Sequence, residues 1–259
     1  MLDRKCNMKR LGLVGGISWV STVEYYRRIN EGINARCGGL HFADCLIHSI
    51  DFGALQDVGW DQAQDMLLES CHRLEAAGAE AIVLCANTAH LHDKTIQADS
   101  SLPLIHIVDA TVSAVRAHGL RKVGVLGTQF VMESDLYSKG FQNADIEVLI
   151  PDRKGSRQRI QQTLKEELGR GIVRAETKSF YLSEMAALQK RGVEGIVLAC
   201  TELPLIIQPL DAAIPLFDTL EIHTNAAVQF ALGEVTQDIG VSQGAAHFNR
   251  RNNGSHSAD

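Results

Sequence analysis

No stretch of this 259-residue chain approaches the ~20 consecutive apolar residues that a membrane span requires. Met1 to Asn7 also lacks the apolar run of a secretion signal, so the expected location is the cytoplasm, away from any membrane. An excess of positive charge is missing too: 25 Lys and Arg against 31 Asp and Glu leave a net charge of −6, with the basic residues scattered. That removes the electrostatic footing for nucleic acid or an anionic membrane and leaves a small molecule as the expected partner. The cysteines (Cys6, Cys37, Cys45, Cys71, Cys85, Cys200) show no C-x-x-C spacing, which argues against a structural zinc site or a disulfide framework and for free thiols. The scattered histidines (His41, His48, His72, His106, His118, His223) have no metal-ligand spacing, and Gly15-Gly16 lacks the full G-x-G-x-x-G pattern. No metal, nucleotide, flavin or pyridoxal phosphate is therefore expected.

What the chain does contain is a duplication. Ala79 to Thr88 (AEAIVLCANT) resembles Val193 to Glu202 (VEGIVLACTE), Leu11 to Gly16 resembles Val123 to Thr128, and Leu102-Pro103-Leu104 resembles Ile214-Pro215-Leu216. The blocks fall in the same order at offsets of 112 to 114 residues, which argues for two similar units. Within each unit short apolar runs alternate with longer amphipathic segments, the pattern of a parallel sheet covered by helices. The expected fold is α/β, with two pseudosymmetric parallel-sheet lobes and a site between them. The expected division is 8–108 plus 214–232 for the first lobe, 109–213 for the second, and a disordered polar tail over 233–259.

Ligands of open parallel sheets bind beyond the carboxyl ends of the strands, where Gly15-Gly16, Asn87-Thr88, Gly127-Thr128 and Cys200-Thr201 fall. Cys200 is the most informative of these, a thiol at a strand end followed by Thr201, Glu202 and the helix-starting Pro204. Free N–H groups at such a turn can lower a thiol pKa and hold a carboxylate. A lone cysteine there reads more simply as an inert core residue; the duplicated context favours chemistry. Asn87, Thr88, Thr128 and Thr201 read as substrate holders or as helix caps, and Glu202 as a helper of Cys200 or a favourable charge at a helix start.

The runs Ile82 to His90 (IVLCANTAH) and Ile196 to Leu205 (IVLACTELPL), with the opening Gly15 to Trp19 (GGISW), resemble the cysteine signatures and glycine turn of the cofactor-independent aspartate/glutamate racemases, over about residues 8 to 232. The resemblance is strongest to the broad-specificity amino-acid racemases. It implies a homodimer, a site between two lobes, and two acid/base groups flanking the substrate, Cys200 and Cys85. It also implies substrate contacts from Gly16, Ser18, Asn87, Thr88, Thr128, Thr201 and Glu202, with Arg159 the nearest match to an anchoring lysine. Racemisation without a cofactor needs one group to remove the α-proton and another to return a proton on the opposite face, which two thiols can do.

This chain departs from the pattern at one position. The first signature usually places its cysteine directly before Asn-Thr, but that position is Ala86, and the repeat aligns Ala86 with Cys200 and Cys85 with Ala199. One residue of slip in a strand turns a side chain to the other face. Two readings of Cys85 stay open: a second base reached through irregular backbone, or a buried structural thiol beside a one-thiol site in which Thr88 or water carries the second proton. Two other functions also stay open, a one-thiol decarboxylase or cis-trans isomerase of the same superfamily and a non-catalytic carboxylate-binding module.

Overall fold

The computed structural model describes residues 8–234 and 241–242. The chain runs through strand β1 (Leu11–Gly15), helix α1 (Trp19–Cys37), β2 (Cys45–Ser49), α2 (Phe52–Val58), α3 (Gln64–Ala76), β3 (Ala81–Leu84), α4 (Asp93–Asp99) and β4 (Leu104–Ile105). It continues through α5 (Ile107–Ala117), β5 (Lys122–Gly127), α6 (Gln129–Glu133), α7 (Leu136–Gln142), β6 (Glu147–Leu149) and α8 (Lys154–Glu166). Then follow α9 (Ala175–Lys190), β7 (Gly195–Ala199), β8 (Leu216–Asp218), α10 (Thr219–Ala231) and β9 (Val241–Ser242).

Two sheets result, in the orders β2-β1-β3-β4-β9 and β6-β5-β7-β8. The strands of the second sheet are all parallel, as are the first four of the first sheet, where β9 adds antiparallel to β4. Apart from β9 the two sheets share one strand order, the structural form of the sequence duplication. Each central strand is an unbroken apolar run because helices cover both of its faces. In the first lobe Leu11, Leu13, Ala81 and Val83 pack with Tyr25 and Ile29 of α1 and Ala227 and Phe230 of α10. Val14, Ile82 and Leu84 meet Leu67, Cys71 and Leu74 of α3 on the other face. The second lobe repeats the arrangement, with Leu126, Ile196 and Leu198 against α8 and α9 and Val123, Val125 and Val197 against α5 and α7.

The start of α1 is set by local chemistry. Gly16 has φ +85°, and a Cβ there would collide with the backbone of Ile50, so only glycine makes this turn. Its N–H donates to Thr22 Oγ1 at 2.9 Å. Ser18 then caps the helix, accepting from Ser21 N at 3.3 Å.

Three expectations need adjustment. Strand β8 pairs with β7, so the return to the first lobe starts at Thr219 with α10 rather than at residue 214; a short apolar run does not say which sheet it joins. Cys37 is disulfide-bonded, while Cys45, Cys71, Cys85 and Cys200 are free thiols; spacing rules detect only local pairs. Val241 and Ser242, within the segment expected to be disordered, form β9, and most of that segment lies outside the described residues.

Candidate active site

The ends of the four central strands converge on the seam between the lobes. At the end of β7, Cys200 Sγ donates to Glu202 Oε2 at 2.9 Å, and Thr201 Oγ1 donates to the same oxygen at 2.9 Å. From the first lobe, α1 sends Ser21 into this group: its hydroxyl lies 2.5 Å from Thr201 Oγ1 and donates to Glu202 Oε1 at 3.2 Å. Glu202 is thus a buried carboxylate whose oxygens are met by three donors, which keeps an otherwise costly buried charge in place.

The ends of β3 and β5 supply a second crossing. Thr88 Oγ1 lies 3.2 Å from Thr128 Oγ1, and Thr128 also caps α6 by accepting from Val131 N at 3.2 Å. Asn87 helps hold the seam. Tyr137 OH donates to Asn87 Oδ1 at 2.5 Å, and Asn87 Nδ2 donates to Thr219 Oγ1 at 3.0 Å, which in turn donates to Leu198 O at 2.8 Å. This chain of bonds ties the end of β3 to β7 two residues before Cys200.

Burial first, and then the charge of Glu202 and its hydrogen bond, push the Cys200 thiol well above its ordinary value. N–H groups at the turn act in the lowering direction but are outweighed, so the expectation of an acidified thiol is reversed. Cys200 is a protonated thiol that donates to the Glu202 carboxylate.

Cys85 does not join this group. It is 1% exposed in the core under α1 and α10, on the same face as Ala81 and Val83. Its repeat equivalent Ala199 faces the corresponding core of the second lobe, whereas Ala86 and Cys200 both pack on the outer-helix side of their sheets. Strand alternation alone accounts for this. Burial drives the Cys85 thiol far upward, which suits a core residue and not a base.

Arg159 is exposed on α8 with its guanidinium 4.2 Å from the centre of the Phe180 ring, and Phe180 packs against the same core cluster as Cys200. Ser18 and Gly16 border the site through the glycine turn and the α1 cap. His90 is fully buried, with Nδ1 3.0 Å from Ala86 O and Nε2 accepting from Ile107 N at 3.3 Å; burial holds it well below the usual imidazole range, so it is a neutral structural link. Among the described residues no group of three or more His, Cys, Asp or Glu side chains is arranged to hold a metal ion.

Sequence reasoning missed Ser21, Tyr137 and Thr219. Ser21 is one helical turn past a capping serine, a local cue with no indication of the other lobe. Nothing in the sequence around Tyr137 points toward Asn87.

Comparison with known proteins places the chain in a family. Residues 14–227 match the family model described as Asp/Glu/Hydantoin racemase. The broad-specificity amino-acid racemase RacX of Bacillus subtilis (strain 168) is 24% identical over 221 residues, covering 81% of this chain and 92% of the relative. A solved structure from Yersinia pestis, assigned provisionally as an Asp/Glu racemase, is 41% identical with a TM-score of 0.80, over 87% of this chain and 100% of that one. An aspartate racemase homologue from Pyrococcus horikoshii OT3 is 31% identical with a TM-score of 0.76, over 86% of this chain and 99% of that one.

Proposed function

Because the chain belongs to the Asp/Glu/hydantoin racemase family, we propose that it is a cofactor-independent isomerase that inverts Cα of an aspartate- or glutamate-type amino acid by proton transfer through Cys200. The observation that carries this reading is the 2.9 Å bond from Cys200 Sγ to Glu202 Oε2 at the seam between the lobes. Cys200 passes its proton to Glu202, and the resulting thiolate takes the α-proton; the S–H bond re-forms, and the proton on Glu202 returns through solvent to the group that protonates Cα on the opposite face. The electron pair left on Cα spreads into the substrate carboxylate, which N–H groups at the strand ends and the hydroxyl of Thr201 stabilise.

Inversion requires a proton on the other face. Ala86 has none to supply and Cys85 is enclosed in the core, so the second carrier is the Thr88 hydroxyl, held by Thr128, or a water beside it. A hydroxyl near its ordinary pKa is a weak partner, and the two directions of racemisation are therefore unequal in their exchange with solvent. The proposal includes a homodimer in the cytoplasm. Trp19, Val23 and Tyr26 lie exposed along one face of α1, at spacings of four and three residues, and support pairing of two copies.

Ala86 favours one other reading, a one-thiol decarboxylase or cis-trans isomerase, since such reactions need a proton on one face only. Incubation with each enantiomer of aspartate and glutamate in deuterated water, followed by chiral chromatography and mass spectrometry, separates them. Inverted product carrying deuterium at Cα supports the racemase; a new product, or no exchange with any acidic amino acid, removes it.

A further inference from the structure

A cavity of about 490 Å³ lies between α4, α5 and α7, and its walls include neither Cys200 nor Glu202. Its inner wall carries His106, which directly follows β4 and is 5% exposed. Neither ring nitrogen of His106 makes a hydrogen bond, although Nε2 is 3.4 Å from Asp93 Oδ2 and Nδ1 is 3.8 Å from Asp109 Oδ1. The ring is held edge-on against His90 with centroids 4.9 Å apart, which fixes its direction. A buried imidazole with both nitrogens open is a cost that a folded chain normally relieves with a partner.

The chemistry around the ring describes that partner. Asp93 and Asp109 flank it, so the inner end of the cavity favours a group that brings protons and positive charge. Asp93 Oδ1 is already engaged by Lys94 N at 2.6 Å, which leaves Oδ2 facing His106. Lys94 lies exposed at the rim, and across the cavity on α7 Lys139 is paired with Asp135. A guest therefore meets the carboxylates of Asp93 and Asp109 beside His106 and the exposed ammonium of Lys94, within a volume suited to a small molecule.

We propose that this cavity is a second small-molecule site, separate from the cleft at Cys200, for a zwitterion of the α-amino-acid class. Its ammonium donates to Asp93, Asp109 and the unprotonated ring nitrogen of His106, and its carboxylate faces Lys94. The site shares two walls with the cleft. The turn that carries His90 also carries Thr88, and α7, whose Lys139 and Gly140 face the cavity, holds Asn87 through Tyr137. Occupancy consequently bears on the hydroxyl and amide that close the seam.

The test is calorimetric titration of the full chain with glycine, L-serine and L-glutamine, alongside acetate, methylamine and Mg²⁺. At least one amino acid is expected to bind, with affinity lowered tenfold or more by Asp109→Lys and by Lys94→Glu and unchanged by Glu202→Gln. Both substituted positions are at least partly exposed and lie on different helices, so loss of fold is not expected from either, and circular dichroism checks it. The proposal is overturned if no amino acid binds, if binding survives both charge reversals, or if it disappears in Glu202→Gln. Acetate, methylamine or Mg²⁺ binding as tightly as any amino acid overturns it equally.

Discussion

Ser21 and Thr201, 180 positions apart in sequence, bring their hydroxyl oxygens to within 2.5 Å of each other across the seam between the lobes. Ser21 belongs to α1 of the first lobe and Thr201 to the turn after β7 of the second. The contact places a first-lobe donor on the carboxylate that accepts the Cys200 hydrogen bond.

Ser21→Ala is expected to lower kcat about tenfold while costing about 1.5–3 kcal/mol of stability, the usual worth of a hydrogen bond to a charged group. KM is expected to stay close to that of the parent, because Thr201 and the strand-end N–H groups remain. Steady-state kinetics together with denaturant unfolding check this; an unchanged kcat removes Ser21 from a positioning role.

Cys200→Ala is expected to abolish α-proton exchange, and Glu202→Gln to reduce it by about 10² to 10⁴, the usual worth of a positioned acid or base. Since Glu202's charge raises the thiol pKa, its removal is also expected to shift thiol ionisation to lower pH, with burial keeping it above the ordinary range. Thiolate absorbance against pH reads this shift. Movement in the opposite direction contradicts the assigned pairing.

Ala86→Cys is expected to raise racemisation in both directions and to even out solvent exchange between enantiomers, because the repeat equivalent of Cys200 then carries a thiol. Cys85→Ser, by contrast, places a hydroxyl in an apolar core and is expected to cost about 1–3 kcal/mol of stability with little change in turnover per folded molecule. If Cys85→Ser costs as much activity as Cys200→Ser and Ala86→Cys gains nothing, Cys85 is the second base after all.

Acid is expected to destabilise the fold from about pH 6.5 downward through the buried histidines. His223 lies between Tyr25 OH and Ile105 O and is pushed by burial down to about 4. With the folded value below the unfolded one, the unfolded chain binds the proton first, so stability present above pH 6.5 is lost as pH falls toward 4. The shift corresponds to on the order of 3 kcal/mol. Denaturant unfolding at pH 7, 5.5 and 4.5 checks the slope, and a His223→Gln protein is expected to show a shallower one.

The central strands were legible because β1, β3, β5 and β7 are apolar runs bounded by glycine or small polar residues and covered on both faces. The register of Cys85 could be read from the repeat, since alternation along a strand is a local rule. Long-range pairings were not legible: Tyr137 to Asn87 spans 50 positions and Ser21 to Thr201 spans 180, and no local pattern encodes either. Arg159 drew attention through a sequence match, and no local pattern pointed to the Phe180 ring that its guanidinium covers.

The placement of α10 sets an order for assembly during synthesis. The second sheet is built from one continuous stretch, Lys122 to Asp218. The first lobe needs Leu220, Ala227 and Phe230 to cover Leu11, Leu13 and Tyr25, although about 100 intervening positions build the other lobe first. As the chain leaves the ribosome, the segment made earliest stays with an open apolar flank until α10 emerges, and the lobe that begins first is completed last.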